Sequence, residues 1–145
     1  MRDVTQRRMD WTRTLLATPR DGAVEALERI RRLGLKTGLI TVCNEDVPLV
    51  WEQTPFAPLI DVPVFSCSVG VRKPDPQIYL VACERLEIEP SEAVFVGDGA
   101  NDELAGAERV GMRAILVRRQ GTDSTVSDFQ GQSITRLSEL EELLD

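Results

Sequence analysis

The feature that most constrains this fold is a predicted strand followed by a turn with two glycines and then by a predicted helix. Residues 94–107 read Val-Phe-Val-Gly-Asp-Gly-Ala-Asn-Asp-Glu-Leu-Ala-Gly-Ala. The apolar opening is typical of a strand, the Gly97-Asp98-Gly99 step of a tight turn, and the rest of a helix. Asp98 is therefore predicted at the carboxyl end of a strand and Asp102 in the first helical turn. Ligands bind beyond the strand ends of open α/β sheets, where paired carboxylates suit Mg²⁺.

Segments of helical and strand character alternate along the rest of the chain. Helices are predicted over residues 4–17, 21–34, 45–51, 76–86 and 137–144, strands over 35–43, 64–67 and 113–117, and a polar surface loop over 120–132. The strand over 35–43 is too rich in successive apolar residues to have one face in water, which indicates burial on both faces, as in a parallel sheet. Alternating helices and strands with right-handed crossovers predict an α/β fold with one mostly parallel sheet.

Composition excludes several classes of function. The 145 residues carry 17 basic and 24 acidic side chains, a formal net charge of −7, which argues against nucleic acid or anionic membranes as partners. The chain has no His, so carboxylates, Lys and Cys must supply any chemistry. No apolar run is long enough to cross a membrane, and the first residues lack a signal-peptide core. We therefore expect a soluble, cytoplasmic protein.

The three cysteines, Cys43, Cys67 and Cys83, are odd in number and lie in or near apolar segments. Because free Cys is among the most buried residue types, we expect all three thiols to be reduced and buried. A reactive thiol at Cys43 is the alternative.

Polar residues lie at the ends of two predicted strands and before a predicted helix, and they are candidates for one site. Thr41 closes a strand, Lys73 precedes a helix, and Asp98 with Asp102 follows another strand. Each has a structural alternative: Thr41 as an ordinary strand residue, Lys73 as a solvated loop lysine, and Asp98 as a helix cap. Together, a hydroxyl, an ammonium and a magnesium site are what phosphoryl transfer requires.

A dinucleotide-binding loop is the rival interpretation of Gly97-Asp98-Gly99. The third glycine of the G-x-G-x-x-G pattern is absent because Asp102 stands in its place, and the Asp98 carboxylate would repel a pyrophosphate. The chain also has no G-x-x-x-x-G-K-[ST] phosphate loop. The metal-site interpretation is therefore preferred.

Three motifs occur in order along the chain: Gly38-Leu39-Ile40-Thr41, Arg72-Lys73-Pro74-Asp75-Pro76, and residues 96–107. In order and spacing they resemble the second, third and fourth motifs of the haloacid dehalogenase (HAD) superfamily of phosphohydrolases, over about residues 20–118. The resemblance implies a Rossmann-like, three-layer core, Mg²⁺, an aspartyl-phosphate intermediate and a small phosphorylated metabolite as substrate. It also implies a role for each site residue: Thr41 would bind phosphoryl oxygens, Lys73 would neutralise charge on nucleophile and phosphate, Asp98 would bind Mg²⁺, and Asp102 would support the metal site.

The chain departs from the family pattern at two points. Val42 follows Thr41 where such sequences commonly have Asn, so we expect one polar contact to be lost. The first motif, an apolar strand that ends in D-x-D-x-[TV] and supplies the nucleophile, is missing. Residues 10–14 match D-x-T-x-T formally, but the preceding Gln6-Arg7-Arg8-Met9 is too polar for a buried central strand. The HAD-like core is therefore expected to be incomplete at its N-terminal strand.

From these departures we predict the domain bounds and two alternative functions. Residues 1–18 are interpreted as an N-terminal helix remaining from a cap domain, and residues 19–145 as the HAD-like α/β core. One hypothesis is a Mg²⁺-dependent phosphatase that is truncated and weakly active or inactive alone. The other is a non-catalytic relic or binding protein with a weak phosphate and metal site. Since a missing central strand would expose strand edges, self-association or marginal stability is also expected.

Overall fold

The computed structural model describes residues 22–118 and 129–144. Its helices are α1 (Ala23–Arg32), α2 (Asp46–Val50), α3 (Ser66–Val69), α4 (Pro76–Leu86), α5 (Glu103–Arg109) and α6 (Leu140–Leu143). Its strands are β1 (Gly38–Thr41), β2 (Val62–Phe65), β3 (Val94–Gly97), β4 (Arg113–Val117) and β5 (Ser133–Ile134). The helix expected over residues 4–17, and with it the N-terminal cap remnant, lies outside the described residues, as does most of the loop expected over 120–132.

The strands form two parallel sheets in the described part of the chain. β1 pairs with β2 in a register that runs from Gly38 opposite Val62 to Thr41 opposite Phe65. β4 lies between β3 and β5 and pairs in parallel with both. Within residues 22–118 and 129–144, β1 and β3 each have a strand neighbour on one side only. Among the described residues, the strand that ends at Thr41 and the strand that precedes Asp98 thus lie in separate sheets.

β4 shows how the layers are arranged. Its residues Ala114 and Leu116 pack into a core shared with α4 and α5, whereas Ile115 and Val117 pack with β5 and α6 on the opposite face. All four are buried. Successive side chains of a strand point to opposite faces of the sheet, so β4 places apolar side chains on both faces. A parallel sheet covered by helices requires this arrangement. The architecture is therefore the Rossmann-like, three-layer α/β core that the sequence predicts.

β1 is the exception to this burial, and the prediction of a strand covered on both faces is wrong for it. Gly38 is exposed, and the three residues that follow it are only half-buried. The reason is its position, since within the described residues β2 is its one strand neighbour. The second strand also differs from the pattern, because β2 ends at Phe65 and Cys67 lies in α3.

Helix α4 begins as the sequence predicts and anchors the loop before it. Asp75 accepts a hydrogen bond from the Gln77 N–H at 2.9 Å, and Pro76 occupies the first turn. The capped helix start fixes the chain that carries Lys73 against the rest of the core. None of the helices in residues 22–118 and 129–144 has the length and apolar character needed to cross a membrane.

Candidate active site

Lys73 is held by an ion pair that the sequence patterns did not predict. Its Nζ lies 2.7 Å from Glu103 Oε2, and the two side chains are only 13% and 5% exposed. The same Nζ lies 5.6 Å from the centre of the Phe95 ring, within the range of a cation–π contact. A largely buried ammonium requires a counter-charge. The alternative of a solvated loop lysine is therefore excluded.

Glu103 joins the Lys73 loop to the loop that carries Asp98. While Oε2 pairs with Lys73, Oε1 accepts a hydrogen bond from the Gly99 N–H at 3.0 Å. The carboxylate lies so close to Gly97 that a Cβ at that position would collide with it. One buried carboxylate thus fixes the ammonium and the Asp98 loop side by side. The signal in the sequence was its position directly after Asp102, at the start of the helix, where a carboxylate reaches backbone N–H groups.

Tyr79 fastens α4 to α5 beside this pair. Its buried hydroxyl donates a hydrogen bond to the Glu103 carbonyl oxygen at 2.8 Å, and its ring packs edge-on against Phe95. Burial, followed by the charge of Glu103, raises the pKa of Tyr79 to about 12. The phenol therefore remains a protonated donor at neutral pH. Gly106 permits this contact because a Cβ there would lie 2.7 Å from the hydroxyl oxygen.

Asp98 follows β3 directly, as the sequence predicts. Its Oδ1 accepts a hydrogen bond from the Ala100 N–H at 3.0 Å, which is the geometry of an Asx turn. Asp102 occupies the N-cap position of α5 rather than its first turn, and its side chain makes no capping hydrogen bond. Asn101 and Asp102 both have positive φ, 56° and 55°, a conformation that Asn and Asp tolerate better than other non-glycine residues. The segment between β3 and α5 is therefore a succession of tight turns.

The residues present fit a Mg²⁺ ion that takes some of its ligands from the protein and the others from water and substrate. No three His, Cys, Asp or Glu side chains converge as a complete metal site within the described ranges. Mg²⁺ commonly uses one or two carboxylates and completes its octahedron with waters and phosphate oxygens. Asp98 and Asp102 are exposed and suit that mode. Glu103 is already engaged by Lys73 and Gly99.

Thr41 lies at the carboxyl end of β1, in the other sheet. Its side chain is half-buried and has no hydrogen-bond partner among the residues that the structure describes. The hydroxyl is therefore available to a ligand. The structure joins Lys73 directly to the Asp98 loop but gives Thr41 no contact of this kind with Lys73.

An open cleft of about 230 Å³ adjoins the Lys73 loop. It is lined by residues of α3 and of the segment that follows, namely Ser66, Cys67, Gly70, Val71 and Arg72. None of the four predicted site residues lines it. The cleft therefore lies beside the candidate site. The contacts of Lys73, rather than the position of the cleft, indicate where the chemistry would occur.

Known proteins with similar sequences identify the family. A model of the haloacid dehalogenase-like hydrolases matches residues 2–111. Glyceraldehyde 3-phosphate phosphatase of Methanopyrus kandleri is 31% identical over 122 residues, which cover 77% of this chain and 52% of that protein. (S)-2-haloacid dehalogenase 4A of Burkholderia cepacia is 30% identical over 100 residues, which cover 68% of this chain and 43% of that protein. The chain thus spans about half the length of these curated relatives.

A solved structure agrees with the sequence comparison. The crystal structure of a HAD phosphatase from Thermococcus onnurineus is similar with a TM-score of 0.75 and 33% identity, over 86% of this chain and 57% of that one. The match of the family model over more than half of the chain is the decisive finding. Together with the fold and the order of the motifs, it shows that this chain belongs to the haloacid dehalogenase-like hydrolase family.

Proposed function

We propose that this chain carries the lysine and magnesium side of a Mg²⁺-dependent phosphatase site for a small phosphorylated metabolite. The observation that carries the proposal is the double contact of Glu103, which pairs with Lys73 and accepts a hydrogen bond from Gly99 beside Asp98. This contact holds an ammonium next to a loop with two exposed carboxylates. Positive charge fixed in advance near a metal-binding loop is what stabilises a transferring phosphoryl group.

Each site residue has a distinct role in this proposal. Asp98 would hold Mg²⁺, and Asp102 would support the metal site. When bound, the ion supplies positive charge to the phosphoryl oxygens. Lys73 would neutralise further negative charge, and Thr41 would donate a hydrogen bond to a phosphoryl oxygen. Glu103 would act indirectly, by keeping the Lys73 ammonium in place.

Relatives of this chain include both phosphatases and dehalogenases, and the charges of the site favour a phosphate ester. Asp98 and Asp102 are exposed carboxylates that repel an anionic substrate unless a cation lies between them. A phosphate dianion has several oxygens and can contact both a bound cation and the Lys73 ammonium. A singly charged haloacid gains less from that arrangement.

The chain alone is proposed to be weakly active or inactive. No D-x-D-x-[TV] motif is present in the sequence, and without an aspartate nucleophile the covalent route through an aspartyl-phosphate cannot run. Direct attack by water is then the remaining route, and it is slow. In residues 22–118 and 129–144, β1 and β3 lie in separate sheets, which is the arrangement expected if the nucleophile strand is missing. The alternative is a binding protein that retains the phosphate and metal site without turnover.

Two measurements on the same preparation test the proposal. Isothermal titration with Mg²⁺ in the presence of inorganic phosphate is expected to show weak binding that Asp98→Asn abolishes. Glu84→Gln, which removes an exposed carboxylate on α4, is the matched control and is expected to bind as the wild type does. Equal binding by both variants would contradict the role of Asp98.

Hydrolysis of p-nitrophenyl phosphate with Mg²⁺ tests the level of activity. Turnover near the uncatalysed background is expected, since the nucleophile motif is missing. A slow rate above background that is lost with Asp98→Asn would favour the weak enzyme over the binding protein. Robust turnover that Asp10→Asn abolishes would overturn the interpretation of residues 10–14.

A further inference from the structure

We propose that Cys43 and Cys67 form a reversible intramolecular disulfide when the protein meets a small-molecule disulfide such as oxidised glutathione. The two Sγ atoms lie 3.9 Å apart, although the residues are 24 positions apart in the sequence. Both cysteines are free in the reduced protein. A disulfide requires sulfurs about 2 Å apart, so the sulfurs must approach by about 2 Å. Rotation of the exposed Cys67 side chain supplies a movement of that size.

The parallel pairing of β1 and β2 brings these cysteines together. The last pair in register is Thr41 with Phe65, and each cysteine comes two residues later in its segment. The Cys43 N–H donates a hydrogen bond to Ser66 Oγ at 3.0 Å, so the two segments stay adjacent beyond the strand ends. The strand register and this hydrogen bond thus place the two cysteines side by side, and the remaining gap to close is the 3.9 Å between their sulfurs.

Exposure decides which thiol reacts first. Cys67 is exposed and Cys43 is half-buried. Burial, followed by the neighbouring Cys67, raises the pKa of Cys43 to about 11, so its thiolate is scarce at neutral pH. Cys67 is therefore the thiol that an incoming disulfide reaches first.

The exchange proceeds in two steps. The Cys67 thiolate attacks one sulfur of the small disulfide RSSR, which forms a protein–SR bond and breaks the S–S bond. The RS⁻ that leaves takes up the proton lost by Cys67. Cys43 then loses its proton to the solvent and attacks the Cys67 sulfur, and the second RS⁻ leaves and is protonated. Two protein thiols and one RSSR thus give one protein disulfide and two RSH.

The disulfide would tie the segment after β1 to α3, beside the candidate active site. Cys67 lines the cleft next to the Lys73 loop, and Cys43 comes two residues after Thr41. The bond would therefore fix the position of the Thr41 strand end relative to α3. Closing this loop covalently is also expected to raise the melting temperature by roughly 5–10 °C.

The experiment uses the full chain, reduced and then incubated with oxidised glutathione. Free thiols are counted by titration with and without denaturant, and intact mass and cross-linked peptides are determined by mass spectrometry. The expected result is loss of two of the three thiols, a mass lower by two hydrogen atoms, and a peptide pair that joins residues 43 and 67. Dithiothreitol is expected to reverse all three changes. The buried Cys83 is the internal control thiol and is expected to remain free.

Single variants separate the two steps. Cys43→Ser is expected to stop at a stable glutathione adduct on Cys67, and Cys67→Ser is expected to react at least ten-fold more slowly than the wild type. Near-ultraviolet circular dichroism checks that both variants are folded. A stable glutathione adduct on the wild-type chain, a cross-link between chains, or three unreacted thiols would each overturn the proposal.

Discussion

Replacing Glu103 with Gln removes the counter-charge of Lys73 with little change in shape. The amide oxygen of Gln can still accept the hydrogen bond that the Gly99 N–H donates to Glu103. The variant therefore isolates the charge from the packing around it. We expect a large loss of stability, because the Lys73 side chain, which is only 13% exposed, would keep its charge without a partner charge.

The distance and burial of the pair give the magnitude. Unit charges 2.7 Å apart attract by about 6 kcal/mol at an effective dielectric constant of about 20. Desolvation of two largely buried ions offsets much of this attraction, so the intact pair adds little net stability. Removing one partner of a buried pair nevertheless costs roughly 3–5 kcal/mol. Since Lys73 keeps some contact with solvent, we expect about 3 kcal/mol.

Urea unfolding of the wild type, Glu103→Gln, Lys73→Met and the double variant measures this effect. With a slope of about 2 kcal/mol per molar urea, a loss of about 3 kcal/mol lowers the midpoint by about 1.5 M. The double variant is expected to be more stable than Glu103→Gln, because no unpaired ammonium remains in it. The double-mutant cycle is expected to give a coupling energy of about 2 kcal/mol or more.

The ion pair of Arg31 and Asp61 is the matched control. Its N···O distance is 2.8 Å, but its side chains are 36% and 38% exposed. A cycle of Arg31→Met and Asp61→Asn is therefore expected to give a coupling energy below about 1 kcal/mol. If the two cycles give equal coupling, or if Glu103→Gln costs less than about 1 kcal/mol, the argument from burial is refuted.

Three further predictions concern packing, pH and association. Gly106→Ala is expected to cost roughly 1–3 kcal/mol in urea unfolding, because its Cβ would lie 2.7 Å from the Tyr79 hydroxyl; a neutral effect would contradict that packing. Arg31 holds the pKa of Asp61 below its ordinary value of 3.8, so the stability that Asp61 contributes is present above pH 3.8 and is lost as the pH falls through the lowered pKa. The stability difference between the wild type and Asp61→Asn should therefore shrink on acidification, and a difference independent of pH would count against it. Two copies are expected to associate through the edges of β1 and β3, so a light-scattering mass equal to the monomer at all concentrations would be the contrary result.

Local signals in the sequence predicted most helices and strands. β4 spans the predicted residues Arg113–Val117, and α4 begins at the predicted cap and proline. These features depend on side chains a few residues apart, which a pattern can report. β5 was not predicted because it has only two residues, Ser133–Ile134, and is specified by its pairing with β4.

Features that depend on distant residues were predicted less well. Lys73 and Glu103 are 30 positions apart, so no local pattern reveals their contact. The cysteines show the same limit: Cys83 is buried as expected, but Cys67 is exposed, because β2 ends before it and α3 turns it towards solvent. The motif order did identify the strand ends that carry Thr41 and Asp98, since parallel strands present their carboxyl ends to ligands.

The most direct test of the central claim is to locate the binding of Mg²⁺ and phosphate by nuclear magnetic resonance. Backbone amide shifts are followed while Mg²⁺ is titrated into the chain with inorganic phosphate present. The largest changes are predicted at Gly99, Ala100 and Lys73, and they should vanish in Asp98→Asn but persist in Glu84→Gln. Changes scattered over other acidic surfaces, or changes that persist in Asp98→Asn, would contradict the proposal that the Lys73 and Asp98 loops form a phosphate and magnesium site.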